Sequence, residues 1–243
     1  MSYNANEAQI SASQKDEKNA LHWGAFWDVL LIVVVLVAVK QSLLPFTIKF
    51  AGPASTFSAM LFATWRLRAR GMTWSDLGVR RPESTPKALL WAVFVLGLIL
   101  LTSGLAGALA DLFFEKQPKT NRFGDITGNW PAYFMYLGLI WTHAAIFEEL
   151  LFRAFIINRL MVFFGGGLWA TSASVILAAV FFGYRHYYYQ GANGFMVTGF
   201  IGLSLGIYYV RRGKNNLWPQ FLGHGFINTI GFTMRVLGID DSD

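Results

Sequence analysis

Apolar runs long enough to cross a lipid bilayer recur along the chain and are separated by short polar or basic stretches. About 20 apolar residues span the hydrocarbon core as a helix. A single strand cannot cross, because its backbone groups would find no hydrogen-bond partners in lipid, so each run is predicted to be helical. The pattern predicts seven apolar segments, at about 26–46, 50–65, 86–114, 131–164, 168–189, 194–210 and 217–237.

The predicted fold is all-α, a polytopic transmembrane helix bundle of about seven spans, within a range of roughly six to eight. The second segment widens the range, because it is short, contains Gly52 and Pro53, and could re-enter the membrane instead of crossing it. The sixth segment carries Gly199, Gly202 and Gly206, which predict a small-residue face for close packing against a neighbouring helix.

Composition favours a membrane protein over a soluble one. Of the 243 residues, 54% are hydrophobic and 14% are charged, whereas soluble domains carry about 25% charged residues. The excess apolar surface requires lipid as its solvent. The chain has no cysteine, which excludes disulfides, thiolate metal ligands and a cysteine nucleophile.

Four regions are predicted along the chain. The first is a polar N-terminal tail over 1–24, which has a composition typical of disordered segments and shows no cleavable signal peptide. The others are an N-terminal transmembrane region with a basic cytoplasmic loop over 25–130, a transmembrane core over 131–238 that contains the candidate site residues described below, and an acidic tail over 239–243.

The net charge of +6 comes from basic residues beside apolar segments, which predicts membrane topology determinants and no nucleic-acid partner. By the positive-inside rule these places are cytoplasmic, whereas the charge-balanced loop 111–125 and the acidic tail are outside. Ser75 and Lys214 are thus predicted inside and Lys119 outside, while Lys40 and Lys49 fall outside against the rule. The basic residues are Arg66, Arg68, Arg70, Arg80, Arg81, Lys87, Arg153, Arg159, Arg211, Arg212 and Lys214.

Two adjacent carboxylates, Glu148 and Glu149, lie inside the fourth apolar segment, where ionisable residues are costly and typically functional. Glu149 and Arg153 are four residues apart and can pair on one helix face. Glu148 points about 100° away and has no partner in its own helix. Alternatively, this helix end lies among lipid headgroups, where charges cost little.

Later segments carry further polar candidates. His186 stands among tyrosines, so it could be catalytic or belong to an interfacial aromatic belt. His224 and Asn228 share one helix face and could serve catalysis or an interhelical hydrogen bond. His143, five residues before Glu148, is expected off its face, in a structural or cavity-lining role. A carboxylate, two imidazoles and an amide from three helices suffice for hydrolysis.

The chain contains three motifs in order, Glu148-Glu149-x-x-x-Arg153, Phe182-x-x-x-His186 and His224-x-x-x-Asn228. Each is weak alone. With 38 residues from Glu148 to His186 and 38 more to His224, the set resembles the CPBP (Abi) family. That family comprises CAAX prenyl proteases of the Rce1 type and bacteriocin-processing or immunity proteins. The stretch 75–82 resembles the loop before the family's core, and the bulky Tyr184-Arg185 departs from the small or apolar residues usual there.

The resemblance implies an intramembrane endopeptidase that cleaves a membrane-associated peptide or protein, in the plasma membrane of a bacterium and with its site open to the cytoplasm. A non-catalytic immunity or scaffold protein of the same family is the alternative. A transporter is disfavoured because no internal repeat is visible. The oligomeric state is left open. The implied roles are water activation by Glu148 with His186, support by Glu149 and Arg153, and oxyanion stabilisation by His224 and Asn228.

Zinc is the open question in this chemistry, because Glu148, His186 and His224 could supply the three protein ligands of a catalytic site. The base would then have to be Glu149, which is expected to be held by Arg153. An amide such as Asn228 is a poor zinc ligand but a good oxyanion donor. The favoured prediction is therefore that no cofactor is required.

Overall fold

The computed structural model describes residues 2–115, 124 and 126–239, with side chains from residue 19 onward. The outer loop with Lys119 and the acidic tail from residue 240 lie outside the described residues. Throughout the described part every regular element is helical, as the apolar pattern predicts. The helices are α1 (Ser2–Leu43), α2 (Ile48–Ala69), α3 (Thr85–Phe113), α4 (from Trp130 to Phe163), α5 (Gly167–Tyr208) and α6 (Trp218–Val236).

Among the residues that the structure describes, three helical stretches are long and apolar enough to cross a membrane, namely Asn19–Leu43, Thr85–Phe113 and Gly167–Gly213. Large apolar side chains on their outer faces have no protein neighbours to bury them: on α3, Leu90 is 70% exposed and Leu101 is 62% exposed. Such faces are stable only in an apolar solvent. The protein is an integral membrane helix bundle.

Both N-terminal helices are longer than their apolar segments. α1 begins at Ser2, within the polar tail, because the tail is rich in helix-forming residues and extending an existing helix needs no new nucleus. α2 has 22 residues and passes through Pro53 without a break. It is about 33 Å long, but it is not among the helices that are apolar enough to count as membrane spans.

The helix α5 folds back on itself at Gly191, so the fifth and sixth predicted segments are its two antiparallel limbs. Gly191 has φ 62°, a left-handed conformation that favours glycine. A Cβ at Gly183 would lie 3.0 Å from Cα of Gly199, and one at Gly206 would lie 2.8 Å from Val175. The glycines of the second limb therefore allow the close packing that their spacing predicts.

The basic loops meet at one end of the bundle, where backbone and side-chain hydrogen bonds join them. Leu217 N–H donates to the carbonyl of Gly78 over 2.9 Å, and the Tyr209 hydroxyl donates to the carbonyl of Leu77 over 3.1 Å. Gly78 has φ 104°, and a Cβ there would lie 2.3 Å from the carbonyl oxygen of Gly213. The loop after α2 and the loop before α6 thus lie on the same side of the membrane.

Gly78→Ala is expected to destabilise the bundle far more than Gly71→Ala. Both glycines have positive φ, but a Cβ at Gly71 would meet nothing within 4 Å. Gly71→Ala should therefore cost only the backbone strain, about 1–2 kcal/mol, whereas Gly78→Ala must also displace the backbone at Gly213. Thermal unfolding of the purified variants in detergent measures both. Equal unfolding temperatures would show that the loop contact contributes nothing.

Candidate active site

The middle of α4 is wound more widely than an α-helix, and this sets the geometry of the site. The turns are α-helical over Trp130–Leu139 and Asn158–Phe163 and π-helical over Ile140–Phe147 and Glu149–Ile157. π-Helical turns are rare and occur frequently at functional sites. All the acidic candidates lie within or between these turns.

The π-helical spacing brings His143 to the carboxylate of Glu148. Glu148 N–H bonds the carbonyl of His143, a pairing of residues five apart, and His143 Nε2 lies 3.8 Å from Glu148 Oε1. The prediction that His143 lies off this face is therefore wrong, because it assumed α-helical spacing. His143 Nε2 also lies 3.2 Å from Thr56 Oγ1, so His143 contacts both Glu148 and α2.

Glu149 is fully buried, and three side chains hold its carboxylate. His224 Nδ1–H donates to Oε1 over 2.8 Å, Gln220 Nε2 donates to Oε2 over 3.2 Å, and Arg153 Nε lies 3.3 Å from Oε2. The pairing of Glu149 with Arg153 expected from their spacing is thus present. Glu149 joins α4 to α6 at the level of the site.

Arg153 is 1% exposed, and few polar or aromatic groups contact its guanidinium. Its guanidinium lies 4.4 Å from the ring centroid of Phe182 on α5, a cation–π contact. Apart from the ion pair with Glu149, none of its nitrogens has a hydrogen-bond acceptor among the described residues. Because it is buried in the bundle, Arg153 does not belong with the loop charges used to predict orientation.

Gln220 belongs to the site, although sequence reasoning did not single it out. It is fully buried and donates to the carbonyl of Leu205 as well as to Glu149. Gln220, His224 and Asn228 recur every fourth residue along α6, so they share one face. A polar stripe at this spacing in an apolar helix was the signal that could have identified it.

The two candidate histidines of α5 and α6 are oriented through Nδ1. His224 Nδ1–H donates to Glu149, and His186 Nδ1–H donates to the carbonyl of Phe182 over 2.9 Å. Because both acceptors are oxygens without a proton, Nδ1 carries the proton in each ring. A neutral ring then presents an unprotonated Nε2.

Glu148 is the carboxylate that the protein leaves available. It is 5% exposed and accepts no hydrogen bond from the described side chains beyond the approach of His143. It interacts electrostatically with His143, His186 and His224. Asn228, half-buried on α6, likewise makes no side-chain hydrogen bond among the described residues. The structure thus separates a fully bonded Glu149 from an available Glu148.

Arg185, the bulky departure from the family pattern, connects α5 to α2 beside the site. It is 7% exposed, and its Nη2 donates to the hydroxyls of Thr56 over 3.0 Å and Ser55 over 3.3 Å. Thr56 Oγ1 lies 3.2 Å from His143 Nε2. Lys40 Nζ donates to the carbonyl of Arg185 over 2.8 Å and is 3% exposed. Lys40 is therefore buried by protein and is not a loop charge, so it does not conflict with the positive-inside rule.

The described side chains do not form a preformed metal site. Among the described residues, no group of three His, Asp or Glu side chains has the arrangement that could hold one. The alternative zinc ligands Glu148, His186 and His224 are near enough to interact electrostatically but do not form such a group. What the arrangement offers is a carboxylate base, oriented imidazoles and an amide donor.

Comparison with known proteins identifies the part of the chain that carries this site. The model of a family described as type II CAAX prenyl endopeptidase Rce1-like matches residues 129–230. This stretch forms an Rce1-like domain. It contains α4, α5 and most of α6, and with them all the site residues, so the resemblance to the CPBP family is confirmed. At family level the Rce1-like domain is that of a CAAX-type intramembrane protease. No curated protein and no solved structure matched the chain.

Proposed function

We propose that the chain hydrolyses a peptide bond of a membrane-associated peptide or protein, with Glu148 as the general base. The observation that carries this proposal is the contrast between the two neighbouring carboxylates. Glu149 is engaged by Arg153, His224 and Gln220, whereas among the described side chains His143, at 3.8 Å, is the one within ion-pair distance of Glu148. A buried carboxylate without a bonded partner, facing several imidazoles, is suited to take a proton from water.

The reaction begins with a water molecule between Glu148 and His186. The carboxylate of Glu148 takes one proton as the water oxygen attacks the carbonyl carbon of the peptide. The unprotonated Nε2 of His186 accepts a hydrogen bond from the other O–H of the water and so orients the attack. A positioned base of this kind contributes about 10²–10⁴ in rate.

The tetrahedral intermediate then carries a negative charge on the former carbonyl oxygen. Asn228 donates its amide N–H to this oxygen, and His224, whose ring is oriented by Glu149 through Nδ1, stabilises the same charge. Glu148 returns its proton to the leaving nitrogen as the C–N bond breaks. The products are a carboxylic acid and an amine, and Glu148 is ionised again.

Glu148→Gln is expected to abolish cleavage and leave folding intact, because Gln keeps the shape but cannot accept the proton. The matched change Glu149→Gln should lower the unfolding temperature, since leaving Arg153 buried without a counter-charge costs about 3–5 kcal/mol. Comparative proteomics of membranes from wild-type and Glu148→Gln cells identifies the substrates that accumulate. Cleavage of such a substrate by the purified proteins should then fall about 10²–10⁴-fold.

Two outcomes of this comparison would contradict the proposal. Undiminished cleavage by a folded Glu148→Gln protein would exclude Glu148 as the base. Identical proteomes, with a substrate that binds wild type and variant equally and stays intact, would favour the alternative of a non-catalytic peptide-binding or immunity protein.

We further propose that hydrolysis requires no tightly bound metal. The anchoring of His186 and His224 through Nδ1 would also suit metal ligands, so a direct measurement is needed. Mass spectrometry of the active protein is expected to find less than stoichiometric metal, and a strong chelator should leave the rate unchanged. Stoichiometric zinc, with activity lost on chelation and restored by zinc alone, would overturn this.

We also propose that the protein lies in the plasma membrane of a bacterium with the site opening to the cytoplasm. The basic loops that meet at one end of the bundle support this orientation. His224 lies six residues after Trp218, where α6 begins at that same end.

The orientation predicts which introduced cysteines an impermeant thiol reagent reaches in intact cells. Ile239→Cys, at the end of the bundle opposite the basic loops and 57% exposed, should be labelled. Ser75→Cys and Lys214→Cys should be labelled only after the cells are opened. The cysteine-free chain provides the background control. Labelling of Ser75→Cys but not Ile239→Cys in intact cells would reverse the topology.

A further inference from the structure

A buried carboxylate at the basic end of the bundle is surrounded by more positive charge than it can neutralise. Asp28 of α1 is fully buried within an apolar stretch. Its Oδ1 accepts from Arg66 Nε over 2.7 Å, and its Oδ2 accepts from Arg70 Nε, both at the end of α2. Each carboxylate oxygen therefore already has a guanidinium partner.

A third guanidinium, that of Arg159 on α4, lies in the same place. Arg159 is 4% exposed and is close enough to be attracted by Asp28 and repelled by Arg70. Its Nη2 points to the sulfur of Met72 at 3.5 Å, a weak acceptor, and its buried Nε has no acceptor among the described residues. The buried cation Arg159 thus lacks a hydrogen-bonded anion.

The charges of this Asp28 cluster, defined as Asp28 with Arg66, Arg70 and Arg159, sum to +2. Burying like charges together is unfavourable unless an opposite charge joins them. Guanidinium groups match phosphate oxygens through paired N–H donors. A negatively charged phosphate would supply the hydrogen-bond acceptor that Arg159 lacks among the described residues.

Exposed tryptophans place the cluster at the level of the lipid headgroups. Trp23 is 57% exposed, Trp27 is 59% exposed and Trp65 is 54% exposed. Trp23 and Trp27 both precede Asp28 along α1, and the guanidinium of Arg66 lies 5.1 Å from the ring centroid of Trp65. Tryptophan concentrates at the boundary between hydrocarbon and headgroups. A phosphate at this depth belongs most naturally to a phospholipid.

We propose that the Asp28 cluster is a binding site for the phosphate of an anionic phospholipid, held between α1, α2 and α4. Arg66 and Arg70, whose side chains are 26% and 19% exposed, meet the headgroup first. Arg159 supplies the buried positive charge behind them. The Arg70 guanidinium lies over Gly24, where a Cβ would be 2.6 Å from Nη2, so the absence of a side chain on α1 makes room for it.

Native mass spectrometry of the purified full-length protein can count the lipids retained from mixed micelles of phosphatidylglycerol and phosphatidylcholine. We expect the wild type to retain phosphatidylglycerol preferentially and to unfold at a higher temperature with it than with phosphatidylcholine. Arg159→Gln and Arg66→Gln should each weaken this binding about tenfold, the effect of losing one charge-assisted hydrogen bond. Arg66→Gln leaves Asp28 paired with Arg70 and is therefore expected to fold.

Arg68→Gln is the matched control, because Arg68 is exposed on the same turn of α2, lies outside the Asp28 cluster and carries the same charge. Its binding of phosphatidylglycerol should stay within about twofold of the wild type. An equal loss in Arg68→Gln, or equal retention of both lipids, would overturn the site in favour of general surface attraction. Inorganic phosphate that displaces the lipid and raises the unfolding temperature equally would overturn the lipid assignment and identify a free phosphate site.

Discussion

The ion pair between Glu149 and Arg153 lies in the centre of the bundle, where both side chains are almost completely removed from solvent. Taking two charges out of water costs several kcal/mol per ion, and their attraction compensates only when further polar contacts help. Glu149 receives that help from His224 and Gln220, and Arg153 lies over the ring of Phe182. The pair therefore fixes α4, α5 and α6 relative to one another, and the site depends on that arrangement.

The π-helical turns of α4 explain how two neighbouring carboxylates acquire different surroundings. In these turns residues five apart come together, so His143 reaches Glu148, while Glu149 on the next position faces Arg153 and α6. Wider turns also lose some of the regular helical packing. These turns place Glu149 against its polar partners and leave Glu148 with the approach of His143.

The hydrophobic pattern was sufficient to predict the all-α bundle and the separate limbs of α5, because lipid allows little else than helices. The spacing of Glu149 and Arg153 likewise predicted their pairing, since it needs only local geometry. Spacing within one helix could not predict the polar contacts of Gln220 or Asp28, because their partners lie on other helices. Nor could α-helical spacing place His143, because nothing local signals a π-helical turn. Lys40 was assigned to the outer side because its burial against Arg185 depends on how α1 meets α5.

Arg185, the departure from the family pattern, joins α2 to the candidate site. Its guanidinium donates to the hydroxyls of Ser55 and Thr56 on α2. On this side the polar groups bond one another, through Thr56 to His143. On the opposite side Gln220 donates a hydrogen bond to Glu149. Glu148 and Asn228 are the site side chains without a hydrogen bond among the described residues. Under the proposed function a peptide would therefore approach between α4 and the half-buried part of α6 that carries Asn228, because the polar groups on the α2 side already bond one another.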